Sequence, residues 1–215
     1  MRYVARPTPL DPGSAPSRSS IGGHPFLPAD APWPVCPESG KPMVLFFQLD
    51  VPEGTGVAVR PGSHLLVFMS PAVNEIDTFE RAKNGAPLPD GFWRARLPHF
   101  KVMLFGPEVE LVAHPDEDAY LVPQRLDFAP EAEPDDPFLF IGGEPRWYQD
   151  AEAHPGFGFL CQLSENYPFA RKAEAPVQPD TFSKKAYCLF LGNAAYFFAR
   201  EAPRDPEDVW IALQN

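Results

Sequence analysis

The chain has few of the residues that carry most enzyme chemistry. Its three cysteines, Cys36, Cys161 and Cys188, cannot all pair with one another. Cys161 and Cys188 lie in apolar runs, where a thiol behaves as a small hydrophobe. The five histidines (24, 64, 99, 114 and 154) are scattered, and most adjoin proline or a turn. The sequence contains no Gly-x-Ser-x-Gly elbow, His-Glu-x-x-His zinc helix, Gly-x-x-x-x-Gly-Lys phosphate loop or dinucleotide fingerprint. No catalytic residue, cofactor or metal is therefore expected. Apolar runs of 18 residues are absent, as is a charged-then-apolar leader, so no membrane association is expected and a cytoplasmic location is the simplest expectation. Basic residues are also short: 18 Lys and Arg stand against 29 Asp and Glu, a net charge of −11. A nucleic-acid partner is not expected, because binding it needs a cationic footprint.

What the chain does have is proline and phenylalanine, 29 and 18 among 215 residues. Proline removes a backbone donor and breaks helix interiors. The reading is an α+β fold, β-rich, in a single domain, with short strands, few short helices and long Pro-rich loops. Apolar stretches read as strands are Met43–Leu49, His64–Met69, Lys101–Phe105, Val109–Ala113 and Phe157–Leu163. Phe92–Leu97 alternates like a half-buried strand, Tyr187–Leu191 and Ala194–Ala199 read as a strand pair across Gly192-Asn193, and Asp208–Leu213 reads as a last strand or helical turn. Asn74–Asn84 is the best helix candidate, with Asp77 and Arg81 an ordinary i,i+4 pair.

The chain repeats itself. Ile21-Gly22-Gly23-His24-Pro25, followed by Leu45-Phe46-Phe47-Gln48-Leu49, is echoed by Ile141-Gly142-Gly143-Glu144-Pro145 and Phe159-Leu160-Cys161-Gln162-Leu163. Gly62–Phe68 likewise matches Gly192–Phe198 in its Gly-x-x-x-apolar-apolar-Phe spacing. The organisation read from this is two pseudo-symmetric repeats in one compact domain. An extended arm covers 1–20, a first repeat 21–107, an acidic connector 108–137 and a second repeat 138–215. Prolines after Gly22-Gly23 leave no helix to cradle a phosphate, so the paired glycines read as a tight turn.

These motifs, with Trp33-Pro34, Gly40-Lys41-Pro42-Met43 and Leu191-Gly192-Asn193, resemble the YwqG-like family of bacterial proteins, a domain of unknown function. The resemblance spans roughly residues 18 to 213. It implies a mixed α+β fold with a duplicated core and no established activity.

Two function classes follow. In the first, the protein is a non-enzymatic interaction module, one use of which is to neutralise a basic partner such as a toxin, in the manner of an immunity protein. Its charge is lopsided: residues 1–107 hold 10 Lys and Arg against 9 Asp and Glu, residues 108–215 hold 8 against 20. Residues 108–136 carry ten acids and one base, Arg125, with apolar residues between them. Asp116, Glu117, Asp118, Tyr120, Phe128, Glu131, Glu133, Asp135 and Asp136 are the partner-binding candidates, since interfaces combine anchoring apolar residues with a polar rim. The alternative is a small-molecule-binding or enzymatic protein using a cleft between the repeats, lined by Gln48, Gln162, Trp33 and Trp147. Each Gln also has a structural reading, in which its amide ties down the neighbouring Gly-Gly loop. Cys36-Pro37-Glu38-Ser39-Gly40 has the outline of half a zinc knuckle with Ser39 in place of the second cysteine. Four Cys or His ligands are not in view there. A thiol nucleophile pairing Cys36 with His24 is spatially conceivable, though nothing in the spacing selects it.

Overall fold

The computed structural model describes residues 1–11, 13–71, 94–116, 119–131, 137–178, 185–203 and 205–214. Its strands are β1 (Tyr3–Pro9), β2 (Ser20–Ile21), β3 (Phe26–Leu27), β4 (Val44–Asp50), β5 (His64–Met69), β6 (Phe100–Phe105), β7 (Val112–Ala113), β8 (Gln124–Pro130), β9 (Leu139–Ile141), β10 (Gly158–Leu163), β11 (Phe169–Ala170), β12 (Ala186–Tyr187), β13 (Ala194–Ala199) and β14 (Val209–Gln214). Helical structure among the described residues is confined to short 3-10 turns, chiefly Arg94–His99 and Leu189–Gly192. The expected α+β class is thus corrected to an all-β architecture. The Asn74–Asn84 helix candidate lies outside the described residues.

Ten strands form one antiparallel sheet in the order β14-β13-β10-β9-β1-β8-β2-β4-β5-β6. The sheet curls until its edges approach: Leu104 N donates to Pro206 O (2.6 Å), and Lys101 Nζ lies 2.6 Å from Glu207 Oε1. Near-closure of this kind hides most of the edge backbone that an open sheet exposes. Read outward from the central β1–β8 pair, the order is β9, β10, β13, β14 on one side and β2, β4, β5, β6 on the other. Matching details sit at matching places. Both β4 and β10 carry a register shift, between Leu45 and Phe47 and between Phe159 and Cys161. The residue in each bulge binds the Gly-Gly turn of its own half: Gly22 N to Phe46 O at 2.9 Å, Gly142 N to Leu160 O at 3.0 Å.

The apolar strands are long because both of their faces are covered, the condition that favours continuous rather than alternating hydrophobic runs. Leu65, Val67 and Met69 of β5 and Ala195, Phe197 and Ala199 of β13 point into the main core. Phe47 and Phe197 meet there edge to face, centroids 6.0 Å apart. The alternate residues point outward into two satellite clusters. Leu66 and Phe68 join Leu27, Cys36, Met43, Leu45 and Phe105 in one; Tyr196, Phe198 and Ala212 form the other. Trp33 packs on the first cluster and Trp147 on the second.

Several local expectations change. Residues 1–9 are extended, but Tyr3–Pro9 is an internal strand paired along its length with β8 and at Tyr3 and Val4 with β9. Gln124–Pro130, from the acidic stretch, is the strand it pairs with. Of the Phe92–Leu97 stretch expected as a strand, the described residues 94–97 belong instead to the 3-10 turn Arg94–His99, which contains Pro98. Ala194–Ala199 pairs with β10 and β14, while Leu189–Gly192 is a 3-10 turn, so no hairpin crosses Gly192-Asn193. Phe190 adopts φ 49 there, which breaks the strand. No helix among the described residues is long and apolar enough to cross a membrane.

Candidate functional site

Gln48 and Gln162 are both buried and fully used. Gln48 Oε1 accepts from Phe26 N (2.9 Å), while Nε2 reaches His24 O (2.8 Å), Ser17 O (3.1 Å) and Ser20 Oγ (3.1 Å). Gln162 Oε1 accepts from Arg146 N (2.8 Å) and Nε2 donates to Arg146 O (3.0 Å). Each amide holds the loop that follows its own Gly-Gly turn. Gln214 and Gln178 repeat the device on Gln149–Asp150 and on Cys188.

Beside Gln48 lies a polar network. His64 is fully buried between Asp50 and Gln48. Its Nδ1 is 2.8 Å from Asp50 Oδ1 and its Nε2 is 3.2 Å from Gln48 Oε1. Both nitrogens face oxygens, which favours a charged ring, and Asp50 pulls the same way. Burial opposes that charge and outweighs it, so the His64 pKa lies below the usual histidine value. Burial would raise Asp50, but hydrogen bonds from His64 and Arg18 hold its carboxyl below the usual range. Arg18 grips Asp50 with both Nε and Nη2 at 2.8 Å. With all its groups engaged, the network reads as a fastening between β2, β4 and β5.

The four cleft candidates do not line one cleft. Trp33 Nε1 donates to Met43 O (2.9 Å), and its ring meets Phe68 edge to face. Trp147 stacks on Tyr196, centroids 4.4 Å apart, over the outer face of the other half. The tryptophans are counterparts on separate outer faces, and the two glutamines face their own loops.

The acidic candidates divide as well. Glu131 accepts from Arg2 (3.0 Å) and Arg146 (2.9 Å). Phe128 packs against the main core. Tyr120 stacks on Tyr187, and Asp116 is half-buried with an interaction inside the chain. Glu117, Asp118, Glu133, Asp135 and Asp136 lie outside the described residues.

The structure does join members of the two candidate sets. Trp33, Asp116 and Tyr120 line one open groove of about 590 Å³, together with Val35, Lys41, Pro42, Met43, Val44, Pro71 and Pro115. A second groove of about 540 Å³ runs along the seam between β6 and β14, and Val35 and Met43 belong to both. Prolines and aromatics give the first groove a stiff apolar lining that loses little entropy when covered. Of its proline and valine members only Pro42 belongs to a sequence motif; the others are marked by nothing more than their place between apolar strands.

Cys36 also has a different partner from the one considered. His24 offers its carbonyl to Gln48, whereas Cys36 Sγ lies 3.7 Å from His99 Nδ1. Among the described residues, no group of three or more His, Cys, Asp or Glu side chains is arranged to hold a metal ion. A scan against protein-family models and a search of curated proteins each found no match to this chain.

Proposed function

We propose that this chain is a non-enzymatic protein-interaction module of the cytoplasm, which holds an extended, basic segment of a partner protein in the groove between Trp33 and Tyr120. The observation that carries the reading is the groove itself. It gathers two half-buried aromatics, three prolines and Val35, and it adjoins the seam groove, with which it shares Val35 and Met43. Such length suits a chain segment better than a compact ligand. Aromatic- and proline-lined grooves bind extended peptides by covering apolar side chains, with little reorganisation of the receptor. The sign of the partner follows from the net charge of −11, whose field steers a cationic segment and slows an anionic one. Neutralisation of a basic toxin is one use of such a surface. The Gly-Gly-x-Pro and Gln motifs that resemble the YwqG-like family support the same duplicated framework without adding an activity.

Fluorescence polarisation tests the sign. Short labelled peptides of one proline- and aromatic-containing pattern, made with basic, neutral or acidic flanks, are titrated with the protein at low and high salt. The basic peptide binds tightest and weakens as salt rises. Equal affinity for all three peptides, or none for the basic one, removes the reading.

A further inference from the structure

Outside the groove, one cluster of chemically competent side chains stands apart. We propose that Cys36, His99 and Glu38 form an activated thiol that a small hydroperoxide oxidises to a sulfenic acid.

The geometry assigns each role. Glu38 Oε2 lies 2.7 Å from His99 Nε2, so the carboxylate accepts the Nε2 proton and fixes the tautomer. The Nδ1 lone pair then faces Cys36 Sγ at 3.7 Å, placed to take the thiol proton. This is the nucleophile–base–orienter arrangement that activates a thiol. His99 is itself pinned at the entrance to β6, where its carbonyl accepts from Ser70 N (2.7 Å). The Cys36–Gly40 turn is closed by Gly40 N to Cys36 O (2.8 Å) and Cys36 N to Lys41 O (3.0 Å). That closure aims the Ser39 hydroxyl and the N–H groups of Glu38 and Ser39 at the sulfur, and the Ser70 hydroxyl joins them. Burial alone would raise the thiol pKa; these donors outweigh it and leave Cys36 below the ordinary thiol value. The other two cysteines lack such donors, and burial pushes both upward.

Access selects the reagent. Cys36 exposes no surface of its own, yet Val35, Pro37, Glu38, Ser39 and Gly40 around it are all exposed. The sulfur therefore lies beneath an exposed turn, and a small outward movement of that turn would admit a molecule little larger than water but not a peptide. In the step, the Cys36 thiolate attacks the near oxygen of the hydroperoxide. The S–O bond forms as the O–O bond breaks. The leaving oxygen takes the proton from His99 Nδ1 and departs as water or an alcohol. The sulfur is oxidised by two electrons and the peroxide is reduced by two. The same donors that face the thiolate then face the sulfenic oxygen.

The full chain is treated with hydrogen peroxide, trapped with a 1,3-diketone that reacts with sulfenic acids, and mapped by peptide mass spectrometry across a pH series. The adduct is expected on Cys36 ahead of Cys161 and Cys188, with a rate that persists below the ordinary thiol pKa of about 8.5. Glu38→Gln, at an exposed position that spares the fold, is expected to slow the reaction about tenfold and to move its pH profile upward. His99→Gln should do the same where it folds. Absence of the adduct on Cys36, or a Glu38→Gln variant with unchanged rate and pH profile, overturns the proposal.

Discussion

Gln48 and Gln162 perform the same operation on opposite halves of the sheet. Each sends one side-chain oxygen to a loop N–H and one side-chain N–H to a loop carbonyl, just past a Gly-Gly turn. The Gln-Leu echo in the sequence is therefore a structural clamp used twice.

The clamp can be weighed by removing it. Replacing either glutamine with leucine keeps the volume but removes the partners of part-buried backbone groups, at up to about 1–3 kcal/mol for each group left unpaired. Gln162→Leu orphans the N–H of Arg146, whose carbonyl still accepts from the Tyr196 hydroxyl, whereas Gln48→Leu orphans Phe26 N, His24 O and Ser17 O. Urea unfolding is expected to show both variants destabilised, Gln48→Leu the more. Near-wild-type midpoints would show that the loops hold without the clamps.

A second comparison separates backbone strain from crowding. Gly142 and Gly40 have similar positive φ, +74 and +67. A Cβ on Gly142 would lie 2.6 Å from Thr55 O and 2.8 Å from Met1 O, while one on Gly40 would meet nothing within 4 Å. Gly40→Ala should cost about 1–2 kcal/mol, the strain alone. Gly142→Ala must also displace two backbone segments, so its melting temperature is expected to fall well below that of Gly40→Ala. Equal melting temperatures would mean that the Gly142 turn relaxes freely.

The shared core predicts a large penalty for Phe47→Ala. Phe47 is fully buried and meets Phe197 of the other half. The cavity is expected to cost about 3–5 kcal/mol. If the halves are mutually dependent, circular dichroism and the intrinsic fluorescence of the tryptophans, which lie in both halves, will be lost in a single transition. Two separated transitions would contradict one continuous core.

Acid should loosen the Arg18–Asp50–His64 network in two stages. His64 has a lowered pKa in the folded state, so the unfolded chain binds its proton first and stability declines as pH falls below about 6.5. Asp50 is also depressed, so its contribution is present above about 3.9 and is lost as pH falls through its lower folded value. Asp50→Asn should remove the second stage and bring the wild-type and variant curves together at low pH. Parallel curves down to pH 2 would show that Asp50 does not supply that acid limb.

The sequence was legible where burial is two-sided. Val44–Asp50, His64–Met69, Gly158–Leu163 and Ala194–Ala199 are apolar on both faces, and their runs announce strands. Tyr3–Pro9 and Gln124–Pro130 are central strands that their residues conceal. Pro7 and Pro9 fit because β9 pairs only with Tyr3 and Val4, leaving that side of the strand free of ladder bonds. The acids near β8 looked like a solvated run because their bases are distant in sequence: Glu131 pairs with Arg2 and Arg146. Trp33 and Tyr120 were each singled out, but no local pattern relates them. Cys36 and His99 escaped pairing for the same reason, their meeting being fixed by strand order alone.

The most direct test of the groove is the affinity of the basic peptide for three proteins: wild type, Val35→Arg and Val177→Arg. Both valines are nearly half exposed, at 49% and 47%, so neither change should disturb the fold. Only Val35 lines the groove. The account predicts that Val35→Arg weakens binding about tenfold or more, through bulk and like charge, while Val177→Arg changes it little. Equal loss in both variants would mean that net charge alone attracts the peptide, and unchanged binding in Val35→Arg would place the contact elsewhere.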